Sequence, residues 1–380
     1  MDTTTANSGI NLSTPQSFAR LPFTKESIAI TASILIPLSI FGIVSNVMTI
    51  IVIAKSTKLK SIFNCLILSL CVSDLISALI SPLFLYRRTW GFEGWKISTA
   101  ICKVYFGTEL LTSYVTTLHI FLFAAFRLIS IRAPTLYYKL KIKHVKIIVG
   151  FVWFLCFVVG FIPFSLMFRA KDSKTPMTSK WPSCTLCLQW FKPFRYYTAI
   201  AYSIMFYVPM LFVIVISIYI ISLLFKRRSR RQTIISFQAG STDKCDTAEA
   251  KRRKKEMQVV LQLSLIVGSF LLGYVPHTAY HFFTSNTTLK QSYKAKVFDW
   301  WFAMAQHTCL RVSECLNPVF YNLASSKMRK ETVSIFKRMW KSIRGRNISN
   351  PTLQSTRSRR ISPVTSPDEI KLPNPRVFVT

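Results

Sequence analysis

"CLRVSECLNPVFY", residues 309–321, lies inside an apolar run from Val297 to Leu323 and carries two charged side chains, Arg311 and Glu314. The run is long enough to cross a bilayer as a helix, yet a charge at that depth costs at least a few kcal/mol. The pair must therefore face protein, an ion or water, which makes this segment one helix among several. On a helix His307, Arg311, Glu314, Pro318 and Tyr321 follow steps of four and three and share one face. That face points inward, because lipid would not accept it. Arg311 and Glu314 are one turn apart and can pair within their own helix.

The rest of the chain repeats the apolar pattern. Of its 380 residues 51% are hydrophobic and 14% aromatic, and the mean hydropathy is +0.34. Candidate spans fall at roughly 27–54, 62–86, 99–132, 145–168, 197–225, 254–284 and 297–323, each of about 20 or more mainly apolar residues. Only helices and closed barrels satisfy their backbone groups in lipid, and barrel strands would be short and alternating. The expected fold is an all-α membrane protein, a seven-transmembrane helix bundle.

A net charge of +34 would suggest nucleic acid in a soluble chain, but its distribution points elsewhere. Lys55, Lys58 and Lys60 follow span 1, and Arg132, Lys139, Lys141, Lys143 and Lys146 follow span 3. "KRRSRR" at 226–231 and "KRRKK" at 251–255 bracket the link between spans 5 and 6. All lie on one side, which the positive-inside rule makes cytosolic, where anionic lipid attracts them. The expected protein is multi-pass in the plasma membrane, with an extracellular N-terminus and a cytoplasmic C-terminus, and does not bind nucleic acid. Sequons at Asn11 and Asn286 then face outward as glycosylation candidates, while the one at Asn347 faces the cytosol. The first 26 residues are polar, so no cleavable signal peptide is expected. The division is an extracellular tail over 1–26, the bundle over 27–323, a short amphipathic helix over 324–340 and a disordered cytoplasmic tail over 341–380.

Cys65, Cys71, Cys156, Cys309 and Cys315 sit inside spans as small hydrophobes, whereas Cys102, Cys184 and Cys187 lie outside, where a disulfide can form. Cys184 and Cys187 have no matching His or Cys nearby, so no metal site is expected.

Further marks follow in order: Asn46 in span 1, "LSLCVSDL" with Asp74 in span 2, Trp95 and Cys102 around the start of span 3, and "FRLISIRAP" with Arg127 and Pro134 at its end. Trp153 and Pro163 come in span 4, Pro209 in span 5, "FLLGYVP" with Phe270 and Pro276 in span 6, and "NPVFY" at 317–321. Over about residues 25 to 340 the chain resembles the rhodopsin-like (class A) G-protein-coupled receptors. The resemblance implies a disulfide from Cys102 to Cys184 or Cys187. It implies an ion or polar cluster of Asn46, Asp74, Thr116, Ser313, Glu314 and Asn317, which in the family often holds a sodium ion; no other cofactor is expected. It implies an activation switch of Arg127, Glu256, Phe270, Pro276, Pro318 and Tyr321. Its partners would be an extracellular ligand, a heterotrimeric G protein, arrestin and receptor kinases.

Three departures stand out. Phe126 replaces the acidic residue that usually precedes the arginine, so the resemblance leaves Glu256 alone to restrain Arg127. Tyr274 stands where the family has tryptophan, and Ser217 where it has tyrosine, with Tyr219 two residues on.

The implied ligand pocket contains Glu109, Ser113, Tyr274, His277, His281, His307 and Arg311. Positions matching Glu109 and Arg311 face each other across it in the family, which favours a buried cross-helix pair over the local pair with Glu314. Helical rise fits less well, since Glu109 is about 27 Å along from Arg127 and Arg311 about 15 Å from Tyr321. An arginine cannot form the retinal Schiff base, which excludes an opsin. With Arg87 and Arg88, the histidines give the pocket mouth a positive cast and favour an anionic, zwitterionic or peptide ligand. The alternatives are an amine-type receptor using Glu109 and a seven-helix transporter, although no internal repeat or broken helix is evident. Catalysis is not expected, because Asp74 and Glu314 form the single carboxylate pair on offer. "LASSKMRKETVSIFKRMW" at 323–340 reads as the amphipathic helix, with Met328, Val333, Ile335, Phe336 and Trp340 available to lipid.

Overall fold

The computed structural model describes residues 20–171, 182–237, 243–286 and 292–346. Its helices begin where side-chain caps stand. Thr24 accepts from the Ser27 amide (3.3 Å) to open α1, Lys25–Lys55. Ser61 caps α2, Ile62–Arg88, and Ser98 caps α3, Thr99–Arg132. Pro134 cannot continue α3 and instead opens the short helix α4, Pro134–Lys139.

The fourth span consists of α5, Ile142–Cys156, a π-turn at Phe157–Phe161, and α6, Ile162–Met167. The fifth likewise joins α7, Phe191–Tyr202, through a π-turn at Ser203–Tyr207 to α8, Val208–Phe237. Each π-turn lies just before a proline, Pro163 or Pro209. Pro163 has no N–H to give the carbonyl of Val159, and the hydroxyl of Tyr197 in α7 donates to that carbonyl instead. A proline kink thus becomes a tie between two spans. α9, Asp243–Asn286, and α10, Tyr293–Ala324, complete seven long helical stretches among the described residues.

Six of the seven are long and apolar enough to cross a membrane by length and composition alone. The remaining one, α10, carries Lys294, Lys296, Asp299, Arg311 and Glu314 and has its polar face against the other helices. Packing joins α1 to α2 and α10, α2 to α3, α3 to α5, α6 and α8, and α9 along α10. Gly273 lets α9 and α10 approach closely: a Cβ there would stand 2.7 Å from the Cβ of Ser313.

Between the fourth and fifth spans β1, Phe168–Ala170, pairs antiparallel with β2, Cys184–Leu186, in the register Phe168↔Leu186. Nothing in the sequence patterning announced these strands. The Cys102–Cys184 disulfide fastens the hairpin to the start of α3. Arg87 Nε donates to the Cys184 carbonyl (2.8 Å), and the Ser183 amide to that of Phe92 (2.8 Å).

α11, Ser326–Arg346, follows α10. Met328 and Ile335, which the sequence offered to lipid, are buried instead, while Val333, Phe336 and Trp340 are exposed. By proximity the chain divides into two units, Met1–Ile335 and Phe336–Thr380. Asn11, Asn347 and most of the expected tail lie outside the described residues, as do the side chains of Glu256 and Asn286.

Candidate functional site

At the disulfide end, α3, α9 and α10 bring Glu109, His277, His281 and His307 close together. His307 stacks on Phe84, with ring centroids 3.6 Å apart and planes 7° apart, and its Nε2 lies 3.2 Å from the Ser81 hydroxyl. Its Nδ1 faces the Glu109 carboxylate at 3.9 Å. His277 donates from Nδ1 to Gln306 Oε1 (2.9 Å), and His281 Nε2 is 3.1 Å from the Tyr202 hydroxyl. The two histidine rings are 4.6 Å apart. Tyr274 lies deeper, fully buried against Phe206 and Phe270, and Ser113 is buried on α3.

Arg311 does not join this group. Its side chain, 2% exposed, pairs with Glu314 at 2.8 Å and donates to the Ser77 hydroxyl, while Ser77 also bonds Glu314 Oε1 (3.2 Å). The expected cross-helix pair of Glu109 and Arg311 is thus replaced by the local one. The reason is the offset in helical rise along the two spans, which leaves Glu314 one turn away and Glu109 higher in the bundle. Among the described residues no Arg or Lys stands within 4 Å of the Glu109 carboxylate, whose side chain is 14% exposed.

The polar cluster is looser than the resemblance implied. Asn317 Nδ2 donates to Asp74 Oδ2 (2.9 Å). Thr116 meets Ser73 (3.2 Å), Ser313 meets Ser269 (3.2 Å), and Asn46 donates to the Gly42 carbonyl of its own helix (2.9 Å). Oδ1 of Asp74 and Oδ1 of Asn46 are buried without a hydrogen-bond partner among the described residues. Two orphaned hard oxygens, one of them on a carboxylate, are suitable ligands for sodium.

At the far end Arg127 donates to Gln262 Oε1 of α9, and its guanidinium lies 3.7 Å from the ring centroid of Phe63. Among the described residues neutral partners hold the arginine, and the Glu256 side chain expected to restrain it lies outside them. Tyr219 accepts from Arg132, not Arg127. Phe270 packs on Tyr274 (4.7 Å between centroids), Pro276 and Pro318 lie inside α9 and α10, and Tyr321 is buried.

Sequence reasoning missed a charged fastener at the disulfide end. Arg88 pairs with Asp299 (3.0 Å) and donates to the Tyr280 hydroxyl (2.5 Å), which donates to Asp299 (3.0 Å). Trp300 Nε1 donates to the Arg88 carbonyl (2.7 Å). The cue was present, since Asp299 is a lone acid near the start of an apolar span. Cys187 is a free, buried thiol, and that burial raises it above its ordinary value.

The architecture matches one family by sequence profile, described as 7 transmembrane receptor (rhodopsin family), over residues 45–321. The chain belongs to that family, the rhodopsin-like G-protein-coupled receptors. Among its relatives, growth hormone secretagogue receptor type 1 of Sus scrofa is 23% identical over 306 residues, covering 80% of this chain and 78% of the relative. The histamine H2 receptor of Canis lupus familiaris is 20% identical over 323 residues (83% and 81%). C-C chemokine receptor type 6 of Mus musculus is 23% identical over 327 residues (84% and 80%). The family is one of signalling receptors embedded in membranes by several spans, and the Cys102–Cys184 bond fits it.

Proposed function

We propose that this receptor sits in the plasma membrane with its disulfide end outside, binds an extracellular ligand through a basic group at Glu109, and activates heterotrimeric G proteins at the Arg127 end. The single observation that carries the ligand reading is the state of Glu109, a partly accessible carboxylate with a histidine at 3.9 Å and no described Arg or Lys within 4 Å. Of the groups that favoured an anionic ligand, Arg87 is engaged with the Cys184 carbonyl and Arg88 with Asp299, and Arg311 is held by Glu314. A peptide with a basic residue, or an amine, suits this arrangement better. Relatives named for histamine and for C-C chemokines are compatible with either chemistry.

The orientation rests on the basic runs. The surface beyond Phe336 supports an amphipathic helix lying on the membrane, and phosphorylation of the Ser/Thr-rich tail by receptor kinases would create an arrestin dock. The sequons at Asn11 and Asn286 accord with the same orientation. A sodium ion would be held by Asp74 and Asn46, and would supply a positive charge to the buried carboxylate. The coupling reading is tested by expressing the full chain in cells with a panel of chimeric G proteins and applying pools of amines and peptides. A saturable, G-protein-dependent response supports it, and silence of every chimera to every pool at verified surface expression counts against it.

A further inference from the structure

We infer that Phe63 is a latch for Arg127: a cation–π contact, assisted by the Gln262 amide, holds the arginine in the unliganded receptor where Phe126 offers no acid. The inference rests on the receptor reading above and names how its switch is restrained.

Arg127 is a guanidinium near the end of a membrane span, and a cation there needs a partner. Among the described residues no Asp or Glu lies within 4 Å of it, whereas three neutral groups do the work of one acid. The guanidinium carbon lies 3.7 Å from the centroid of the Phe63 ring and 5.2 Å from that of Phe123, well inside the range at which the negative face of an aromatic ring attracts a cation. Gln262 Oε1 accepts from Nη2.

The ring of Phe63 is fixed from several sides. It lies in the first turn of α2, which Ser61 caps by accepting from the Asn64 amide (3.2 Å), while Asn64 Nδ2 donates to the Leu59 carbonyl (2.7 Å). Phe123 meets it edge-on at 5.3 Å, and Tyr137 of α4 stacks on it at 6.1 Å with planes 22° apart. The latch therefore joins α2, α3 and α4, and Gln262 adds α9.

The two neutral partners divide the task. Displacement of the Arg127 end of α9 about Pro276 breaks the Gln262 contact directly, but leaves Arg127 on Phe63. Release of the arginine then needs a second step against a contact weaker than an ion pair in a desolvated setting. Ligand-free signalling should accordingly be set by the electron density of one ring.

The test replaces Phe63 in the full-length receptor with mono-, di- and trifluorophenylalanine, which drain the ring face with little change of shape. Phe63→Trp and Phe63→Leu accompany the series, and ligand-free G-protein activation is read at matched surface expression. Activation should climb stepwise with fluorine number to about three- to tenfold, stay at or below the parent level in Phe63→Trp, and rise in Phe63→Leu. A flat fluorine series while Gln262→Leu raises signalling overturns the latch and leaves the receptor reading intact. A rise in Phe63→Trp equal to that in Phe63→Leu assigns the effect to packing and likewise overturns it. If no variant, Gln262→Leu and Glu256→Ala included, signals through any chimera, the receptor reading fails and the latch with it.

Discussion

At the scale of single residues the Arg311–Glu314 pair dominates, because both members are buried in the bundle and share Ser77. Removing one partner strands the other's charge at a cost of about 3–5 kcal/mol, whereas replacing both by neutral groups of similar size restores much of it. Arg311→Gln should therefore sharply lower the thermal stability of the purified receptor, Arg311→Gln with Glu314→Gln should recover most of the loss, and Glu109→Gln should stay near the parent. A coupling between 109 and 311 in the double-mutant cycle, with none between 311 and 314, would reinstate the cross-helix pair. The same Arg311→Gln protein should be stabilised by sodium more than the parent is, since Asp74 and Glu314 are left without the resident cation. The presence of a polar interior was legible in the sequence from one fact, that charges inside a 27-residue apolar run must face inward. Which partner each charge takes was not, because spacing along one helix says nothing of the relative height of its neighbours. Gln262 and Phe63 escaped notice for a related reason: a neutral amide and a phenylalanine look like ordinary core until a guanidinium is placed against them.

At the scale of elements the seven spans could be read from long apolar runs, and the starts of α2 and α3 coincide with their capping serines. The fifth span begins earlier than expected, as "FKPFRYY" at 191–197 is helical despite its mixed character. The hairpin is two three-residue strands, too short to show an alternating pattern, and the π-turns were signalled by nothing beyond the prolines that follow them. The fastener of Arg88, Asp299, Tyr280 and Trp300 binds α2, α9 and α10 together at the disulfide end. It lies one helical turn beyond Pro276, at Tyr280, and so makes that half of α9 the stationary one. Asp299→Asn should cost about 1–3 kcal/mol, with Asp299 partly exposed and the charge of Arg88 left buried. The expected signature in cells is a lower melting temperature with a weaker maximal response, and the exchange Arg88→Asp with Asp299→Arg should recover part of both. An Asp299→Asn receptor as stable and as responsive as the parent would show that the fastener is dispensable.

At the scale of the whole molecule Glu109 and its neighbouring histidines lie at one end and a neutral latch on Arg127 at the other, joined through α9 and α10 and the polar cluster between them. In the proposed receptor a ligand's positive charge meets Glu109, and this contact opens the far end. The most direct measurement is the charge preference of activation. Dose–response curves for the best agonist found in the pooled screen, and for its analogue lacking the basic group, are recorded on the parent receptor and on Glu109→Gln with a matched chimeric G protein. Glu109→Gln should lose at least about thirtyfold in potency toward the basic agonist, in line with about 2–5 kcal/mol for one partner of a buried charge pair, and little toward the analogue. Equal potency of the basic agonist on both receptors, or an agonist whose activity depends on a negative group and on Arg87 or Arg88, would contradict it.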